Sequence, residues 1–511
     1  MSFILTPEDF KSKEVKISDT LISDLDLSFM GKAGNIDIIA KYITSDKDII
    51  CYRQRLFDDI LKNNNFGMFL ESLLEKVEVL AQIHVLERET HDSEDNEKLF
   101  YSFRELLAFT ECIDFILEGE KEFRSKIKSQ GIHLLFDEAI NVSKEKEYQN
   151  AKLYIEKTSE EIKDIKSITV GINLDARLNV SEAGIISVNS QRFTTNTLLD
   201  KMFSKKIEDK NYICIESVCS RELKNLGVSL QIVNTALYNA MSRTVGKAIR
   251  KIKKDLYLYI RQSTYFLLDI YDDLKFISMC MFYTLSMQSA GMPLSLPEVS
   301  EKHEISELYN PNLVGSIKSV DIVKNNAVFD ERGMIFILTG ANSGGKSVYL
   351  RAVGIAQLLF QLGLPVPAKK ASMRICDEIF SHFAAKVRDR SGGRFENECK
   401  NILRFYKDIT ENSLVLLDEM FSTTGSSEGT VIAVRILKYM SKIGCKCIYT
   451  THMHDLTAKI DEINSEEDIK SKVDGLAAEI TNGCYTYKIK RCRESYSSYA
   501  EEICRKYGFD F

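Results

Sequence analysis

Proline is scarce in this chain of 511 residues: there are six, at positions 7, 293, 297, 311, 365 and 367. Residues 8–292 therefore hold no helix breaker, which predicts a long, largely helical first half. Positive charge is not in excess either. The formal net charge is −6, so the chain as a whole is no polycation, and any nucleic-acid surface has to be a local patch. No apolar run reaches the ~18 residues of a membrane span. The longest candidate, Phe276 to Met287, is interrupted by Ser278, Thr284 and Ser286. The opening MSFILTPEDF has no basic stretch ahead of its short apolar run and does not read as a signal peptide. The 12 cysteines include no C-x-x-C pair, the nearest approach being Cys445-Lys446-Cys447, so they read as reduced thiols and not as a zinc site or a disulfide framework. Low-complexity segments and fixed-period repeats are lacking. These absences describe a soluble cytoplasmic protein without a membrane partner. At 44% hydrophobic and 28% charged residues it is not a disordered chain.

The length accommodates two or more domains. Residues 1 to about 165 show apolar positions at helical spacing, with a break near Asn63 to Gly67. Ile168, Val170, Ile172 and Leu174 then alternate at period two. Ile185, Ile186 and Val188 follow Ser181-Glu182-Ala183-Gly184, which reads as a turn, so a small β insert is expected at about 166–190. Helical spacing returns from about Arg221 through Leu237, Met241, Val245, Ile249, Ile252, Leu256 and Ile260, and continues toward Met287. Gly291, Pro293 and Pro297 close that block. Beyond them, short β-rich runs (Met334 to Leu338, Leu414 to Leu417, Cys447 to Tyr449) alternate with helical ones, the pattern of buried strands in a mainly parallel sheet. The expected boundary lies near 291. A mostly α-helical segment 1–290 with its β insert precedes an α/β segment 291–511.

Three motifs in the second segment carry chemistry. Gly340-Ala-Asn-Ser-Gly-Gly-Lys-Ser347 matches G-x-x-x-x-G-K-[ST] at every specified position, after a predicted strand and before a helical run. Glycines at 340, 344 and 345 let backbone amides close around phosphate oxygens, and the following helix turns its positive end toward them. Gly340, Gly344 and Gly345 are thus expected to bind the nucleotide. Lys346 is then placed for the β- and γ-phosphates, and the Ser347 hydroxyl for Mg²⁺. Next, Leu414-Val-Leu-Leu-Asp-Glu419 is an apolar run ending in two carboxylates. Asp418 suits the Mg²⁺ shell through water, and Glu419 suits the general base for an attacking water. Last, Tyr449-Thr-Thr-His-Met-His454 places His452 just past a strand, where it could sense or polarise the γ-phosphate. Nucleotide-dependent hydrolysis with ATP and Mg²⁺ is the chemistry these residues share.

In this order and spacing the motifs resemble the MutS family within the ABC-type ATPases. ILTGANSGGKSVYLRAVGIAQLLFQLGLPVPA resembles the family's P-loop and helix, LVLLDEMFSTTGSSEG has the family's length from Asp-Glu to Glu428-Gly429, and TTHMHDL resembles T-H-x-H-E-L. Upstream, IYDDLKFISMCMFYTLSM is similar to the end of the lever helix; downstream, Ser495-Tyr496 is similar to the R-S-Y-G helix. The likeness is strong over about 265–504. Over 1–264 it is carried by helical texture and the Arg53-Gln54 region. The fold it implies is a helical core and lever domain followed by an ABC-type P-loop ATPase domain.

The resemblance also implies site residues. Asn342 would contact the γ-phosphate region. Val387 to Glu398 would be the signature loop that completes the partner's site in a homodimer joined through the ATPase domains, with Phe395 and Glu398 on the family's Thr-Phe-x-x-Glu-Met. The family's signature serine falls on Gly393, so either Ser391 or the backbone amides of Gly392 and Gly393 take its part. The family's Gly-Arg-Gly is Phe421-Ser422-Thr423 here. Its base-stacking aromatic falls near Ile322 and Val323, an aliphatic clamp.

A glycine-led Phe-x-Glu mismatch wedge is expected to be missing, as are a connector domain and a C-terminal dimerisation or nuclease tail. Phe69-Leu-Glu71 has the wedge spacing but lies in an amphipathic run. DNA binding without sequence preference would rest on Arg243 to Lys254, the densest basic stretch. The function expected is ATP hydrolysis coupled to lever movement and DNA binding in repair or recombination, without mismatch reading. The rival is a nucleotide-gated protein-interaction switch that leaves DNA alone.

Overall fold

The computed structural model describes residues 3–7, 13, 15–18, 20–31, 36–89, 95–162, 167–174, 176–177, 180–189, 191, 216–217, 265–341, 343–383, 394–421, 426–481 and 484–493. The strands among these residues are, in chain order, β1 (Lys16–Ile17), β2 (Ser167–Leu174), β3 (Val180–Asn189), β4 (Glu216–Ser217), β5 (Glu298–Val299), β6 (His303–Leu308), β7 (Asn325–Phe329), β8 (Ile335–Thr339), β9 (Lys370–Met373), β10 (Glu378–Phe383), β11 (Leu414–Asp418), β12 (Lys446–Thr450), β13 (Val473–Thr481) and β14 (Cys484–Arg491). The chain forms two compact units. One comprises Met1–Met68, Lys126–Ile132 and Asp273–Phe511, the other Phe69–Ser125 and His133–Asp272.

The first unit is built on a seven-stranded sheet of order β1-β10-β11-β12-β8-β13-β14, parallel except for the final β13–β14 pair. All five residues of β8, of β11 and of β12 are buried, which accounts for their unbroken apolar runs: a parallel sheet covered on both faces has no polar side. Helix Lys346–Gln361 is buried along most of its length. A methyl group on Gly354 in this helix would fall 2.5 Å from a Leu25 methyl and 2.6 Å from a Leu416 methyl, so glycine is what lets the backbone come this close. The other face presents Val415, Leu417 and Tyr449, which share a core with Ala433, Leu437 and Met440 of helix Ser426–Ile443. A four-stranded sheet, β5-β9-β6-β7, belongs to the same unit.

The expected boundary near 291 does not coincide with these units. The first 68 residues join the α/β unit, where β1 extends the sheet edge by pairing with β10, Lys16 N–H donating to Asp377 O at 3.0 Å and Ser18 N–H to Ile379 O at 3.2 Å. A two-residue strand has no periodicity to read, and its partner lies some 360 positions away. The break near Asn63 is where expected. Helix Lys47–Lys62 ends at Asn63 and the next helix spans Asn64–Glu89.

The second unit holds most of helices Asn64–Glu89, Asp95–Phe123 and Gln130–Lys144, with Lys146–Ile162 and a three-stranded antiparallel sheet, β2-β3-β4. Phe69 stacks on Phe115 at 5.1 Å and packs against Phe123 and Phe136. A side chain on Gly119 would strike its ring. In the described structure Phe69 is thus a core residue. The β insert is present, with one correction: Ser181 to Gly184 lie inside β3 and not in a turn, and β4 adds a strand that two residues could not announce. Arg243 to Lys254 lie outside the described residues. Among the described residues no helix is long and apolar enough to cross a membrane, and the described cysteines are free thiols.

Candidate nucleotide-binding site

Strand β8 ends in Thr339 and the chain turns through the glycine-rich loop into helix Lys346–Gln361. Gly340 (φ 137°), Ser343 (φ 70°) and Gly345 (φ 89°) have left-handed backbone conformations. At Gly340 glycine is required twice over, since a Cβ there would also sit 2.7 Å from the Ala478 methyl of β13. Lys346 is 4% exposed and donates to Gly340 O at 2.8 Å and Ala341 O at 3.2 Å; its Nζ lies 3.5 Å from Glu419 Oε1. Burial lowers the basicity of this amine below the ordinary lysine range, against the opposing pull of Glu419 and Asp418.

The sheet order explains how the carboxylates reach the loop. β12 lies between β11 and β8, so Asp418 and Glu419, at the end of β11, stand one strand away from the P-loop strand. Ser347 Oγ donates to Asp418 Oδ1 at 3.1 Å. Glu419 has left-handed backbone (φ 50°), and its N–H donates to Thr450 O at 3.1 Å and Thr450 Oγ1 at 3.2 Å. The Ser347 hydroxyl and the Asp418 carboxylate form an oxygen-only donor set. That fits a hard cation such as Mg²⁺ held jointly with phosphates and water.

A cavity of about 670 Å³ opens over these groups, lined by Tyr309, Asn310, Val323, Asn325, Ala341, Gly345, Lys346, Ser347, Glu419 and Tyr487 among others. It has the size of a small-molecule site, with apolar walls and a few convergent polar groups. The three loop glycines divide here. Gly345 lines the cavity, whereas Gly340 and Gly344 do not. Gly344 is buried, and its N–H donates to Ala341 O at 3.0 Å, closing the loop's own turn. It also packs against β13, where a Cβ on it would stand 3.3 Å from the Ala478 methyl. Gly340 contributes its carbonyl, which accepts from Lys346. In this structure both residues shape the loop from behind.

Of the two expected aliphatic base contacts, Val323 lines the cavity; Ile322 is 4% exposed and does not. Tyr487 is the residue that reading the sequence missed. Its ring stands where a Cβ on Gly345 would meet it at 3.4 Å, and its carbonyl accepts from Asn325 Nδ2 at 3.1 Å. The alternation of Tyr485 and Tyr487 in β14 was the available signal. His452 is exposed, two residues beyond β12, and is not part of the lining. Asn342, Ser391, Gly392 and Gly393 lie outside the described residues.

A parallel α/β sheet with a P-loop motif at one strand end, and paired carboxylates from a strand one position removed, defines a P-loop α/β unit. Comparison with known proteins narrows the class. The family model described as MutS domain V matches residues 336–509. The DNA mismatch repair protein MutS of Clostridium perfringens is 30% identical over 332 residues, 61% of this chain and 32% of that protein. MutS of Clostridium botulinum strain Alaska E43 is 27% identical over 353 residues, 67% of this chain and 33% of that protein. Over residues 336–509 the chain is thus similar to the MutS proteins, and it spans about a third of the length of these curated relatives.

Proposed function

We propose that this protein is a MutS-type ATPase that binds ATP with Mg²⁺ and hydrolyses it to ADP and phosphate. The observation that supports this most is the convergence of Lys346, Ser347 and Glu419 on one cavity, with Asp418 bonded to Ser347 behind it. In this reading Lys346 leaves the carbonyls of Gly340 and Ala341 for the β- and γ-phosphates, while the P-loop amides from Gly345 onward hold the remaining oxygens. Gly340 and Gly344 serve the nucleotide through the shape of the loop; the Gly344 amide reaches phosphate only if its bond to Ala341 opens on binding. Ser347, and Asp418 through water, would hold Mg²⁺, which neutralises phosphate charge when bound. Glu419 takes the proton of the attacking water. Val323 and Tyr487 flank the base, and His452 polarises the γ-phosphate when the site closes. Two chains pair through these units, and residues 387–398 of one complete the site of the other, with Ser391 or the amides of Gly392 and Gly393 on the γ-phosphate.

Coupling of this cycle to lever movement and to DNA, without sequence preference and without mismatch reading, extends the proposal to repair or recombination. The test is phosphate release from ATP by the purified chain, with binding to duplex and branched DNA measured at two salt concentrations. Hydrolysis with salt-sensitive DNA binding supports the reading. Hydrolysis without DNA binding favours a nucleotide-gated protein switch, and a chain that neither binds nor hydrolyses ATP refutes both.

A further inference from the structure

We infer that Thr450 is a positioning residue of this site, its hydroxyl joining the Asp418 carboxylate and the Glu419 peptide into one rigid arrangement; the inference rests on the ATPase reading above. The parallel register of β11 and β12 sets Asp418 directly beside Thr450, so their side chains leave the sheet on the same face. Thr450 is fully buried. A threonine hydroxyl has one proton to donate and lone pairs to accept with. Here both capacities are used on the two acids of the site: the hydroxyl donates to Asp418 Oδ1, and its oxygen accepts from Glu419 N–H at 3.2 Å. Asp418 Oδ1 thus takes two donors, Ser347 from the P-loop helix and Thr450 from β12, which fix the carboxylate from two sides.

The second role concerns strain. Glu419 at φ 50° and Phe421 at φ 59° occupy a backbone region that residues with a side chain avoid, and such residues persist only where neighbours hold them. Each residue of this turn is held. Thr450 takes Glu419 N–H, Tyr449 OH donates to Met420 O at 3.1 Å, and Glu398 Oε2 accepts from Phe421 N–H at 2.9 Å. Of these three holds, that of Thr450 also reaches Asp418. Without its hydroxyl, Asp418 loses one of its two donors and Glu419 N–H keeps only its 3.1 Å bond to the Thr450 carbonyl, so Glu419 is freer to relax and carry its carboxylate away from its 3.5 Å approach to Lys346. Thr450 acts through these two acids and touches no substrate itself.

The test uses Thr450→Val, which keeps size and β-branching and removes the hydroxyl, with Thr450→Ser and Thr450→Ala as a second pair. Turnover is measured beside two readouts independent of it: equilibrium binding of a non-hydrolysable ATP analogue, and Mn²⁺ affinity of the analogue-loaded chain by electron paramagnetic resonance. Thr450→Val and Thr450→Ala should lower kcat by ~10- to 100-fold and weaken Mn²⁺ several-fold, with analogue binding within about threefold of the parent. Thr450→Ser should restore kcat and Mn²⁺ affinity to within about threefold. If Thr450→Val does not fold, the Ser–Ala difference alone decides. Parental kcat and Mn²⁺ affinity in the Ala variant, or Ser as impaired as Ala, overturns the inference and leaves a buried hydroxyl that only fills space. A parent chain that binds analogue but releases no phosphate overturns the ATPase reading instead, and the Mn²⁺ comparison still decides the role of Thr450.

Discussion

Replacing Glu419 with Gln separates binding from chemistry, because the side chain keeps its shape and loses its charge. Two unit charges 3.5 Å apart attract by about 4.7 kcal/mol at an effective dielectric constant of about 20. Desolvation of the 4%-exposed Lys346 offsets part of this, and the Glu419 side chain is 29% exposed, so a net effect of about 1–2 kcal/mol is the reasonable scale. In the free protein that attraction competes with ATP for Lys346, and in the complex the carboxylate repels the phosphates. Both effects disappear in Glu419→Gln. ATP affinity should therefore rise by roughly 5- to 30-fold, the equivalent of that energy, while hydrolysis falls by ~10²-fold or more with the base gone. Isothermal titration gives the first quantity and single-turnover phosphate release the second. Parental turnover in Glu419→Gln would refute the assignment of the base. A tenfold loss of affinity would refute the competition argument and make Glu419 a direct support of the bound nucleotide.

Other perturbations test other parts of the same unit. Tyr487→Ala removes the aromatic wall beside Gly345 and should weaken ATP binding by about 0.5–1.5 kcal/mol without lowering kcat; equal affinity for a ribose triphosphate lacking the base, in parent and variant, is the control. Gly354→Val drives methyl groups into Leu25 and Leu416 and should cost about 1–3 kcal/mol by overpacking, seen as a lower thermal midpoint. Adding Leu25→Ala should recover part of the loss, whereas strict additivity would mean that the two do not touch. Burial lowers the pKa of Lys346 from the ordinary 10.5, so ATP affinity should decline with rising pH before a solvent lysine would titrate. For the free fold the sign is opposite: burying the charged amine costs stability below the folded pKa, and because the folded chain releases this proton before the unfolded chain does, that loss fades as pH rises from the folded pKa through the ordinary lysine range. An affinity that stays constant up to the ordinary lysine range refutes this.

The readable parts of the molecule were those whose chemistry is local. A phosphate loop is made of backbone, so glycines at 340, 344 and 345 declare it within eight residues, and the buried parallel strands declare themselves as apolar runs. Three adjacent strands of the central sheet, β11, β12 and β8, and the positions of Lys346, Ser347, Asp418 and Glu419 follow from such segments. What stayed hidden depends on register and on distant partners. The motif does not say which glycine faces the cavity; that Gly344 turns inward to Ala341 and Ala478 while Gly345 faces Tyr487 is decided by the neighbouring β13 and β14. β1 is two residues long and acquires meaning only from β10. Tyr487 is one of two alternating tyrosines in an edge strand until Asn325 and Gly345 are brought against it.

Thr450 shows most clearly why such residues resist sequence reading. In its motif it is the first of two threonines before His452, and the histidine draws the eye. Yet His452 is exposed and outside the cavity lining, whereas Thr450 is buried between the two acids. Parallel register decides this. Shifting β12 by one residue against β11 would bring Tyr449 or Thr451 beside Asp418 and turn the neighbouring side chains to the opposite face. The register is in turn held by the apolar layers on both faces of the sheet, with Val415, Leu417 and Tyr449 packed on one side and Leu416 against the P-loop helix on the other. The geometry of the acids is therefore a consequence of core packing. A core substitution that loosens the β11–β12 register should reduce turnover before it abolishes folding, because a strained turn at Glu419 tolerates less displacement than the hydrophobic layers beneath it.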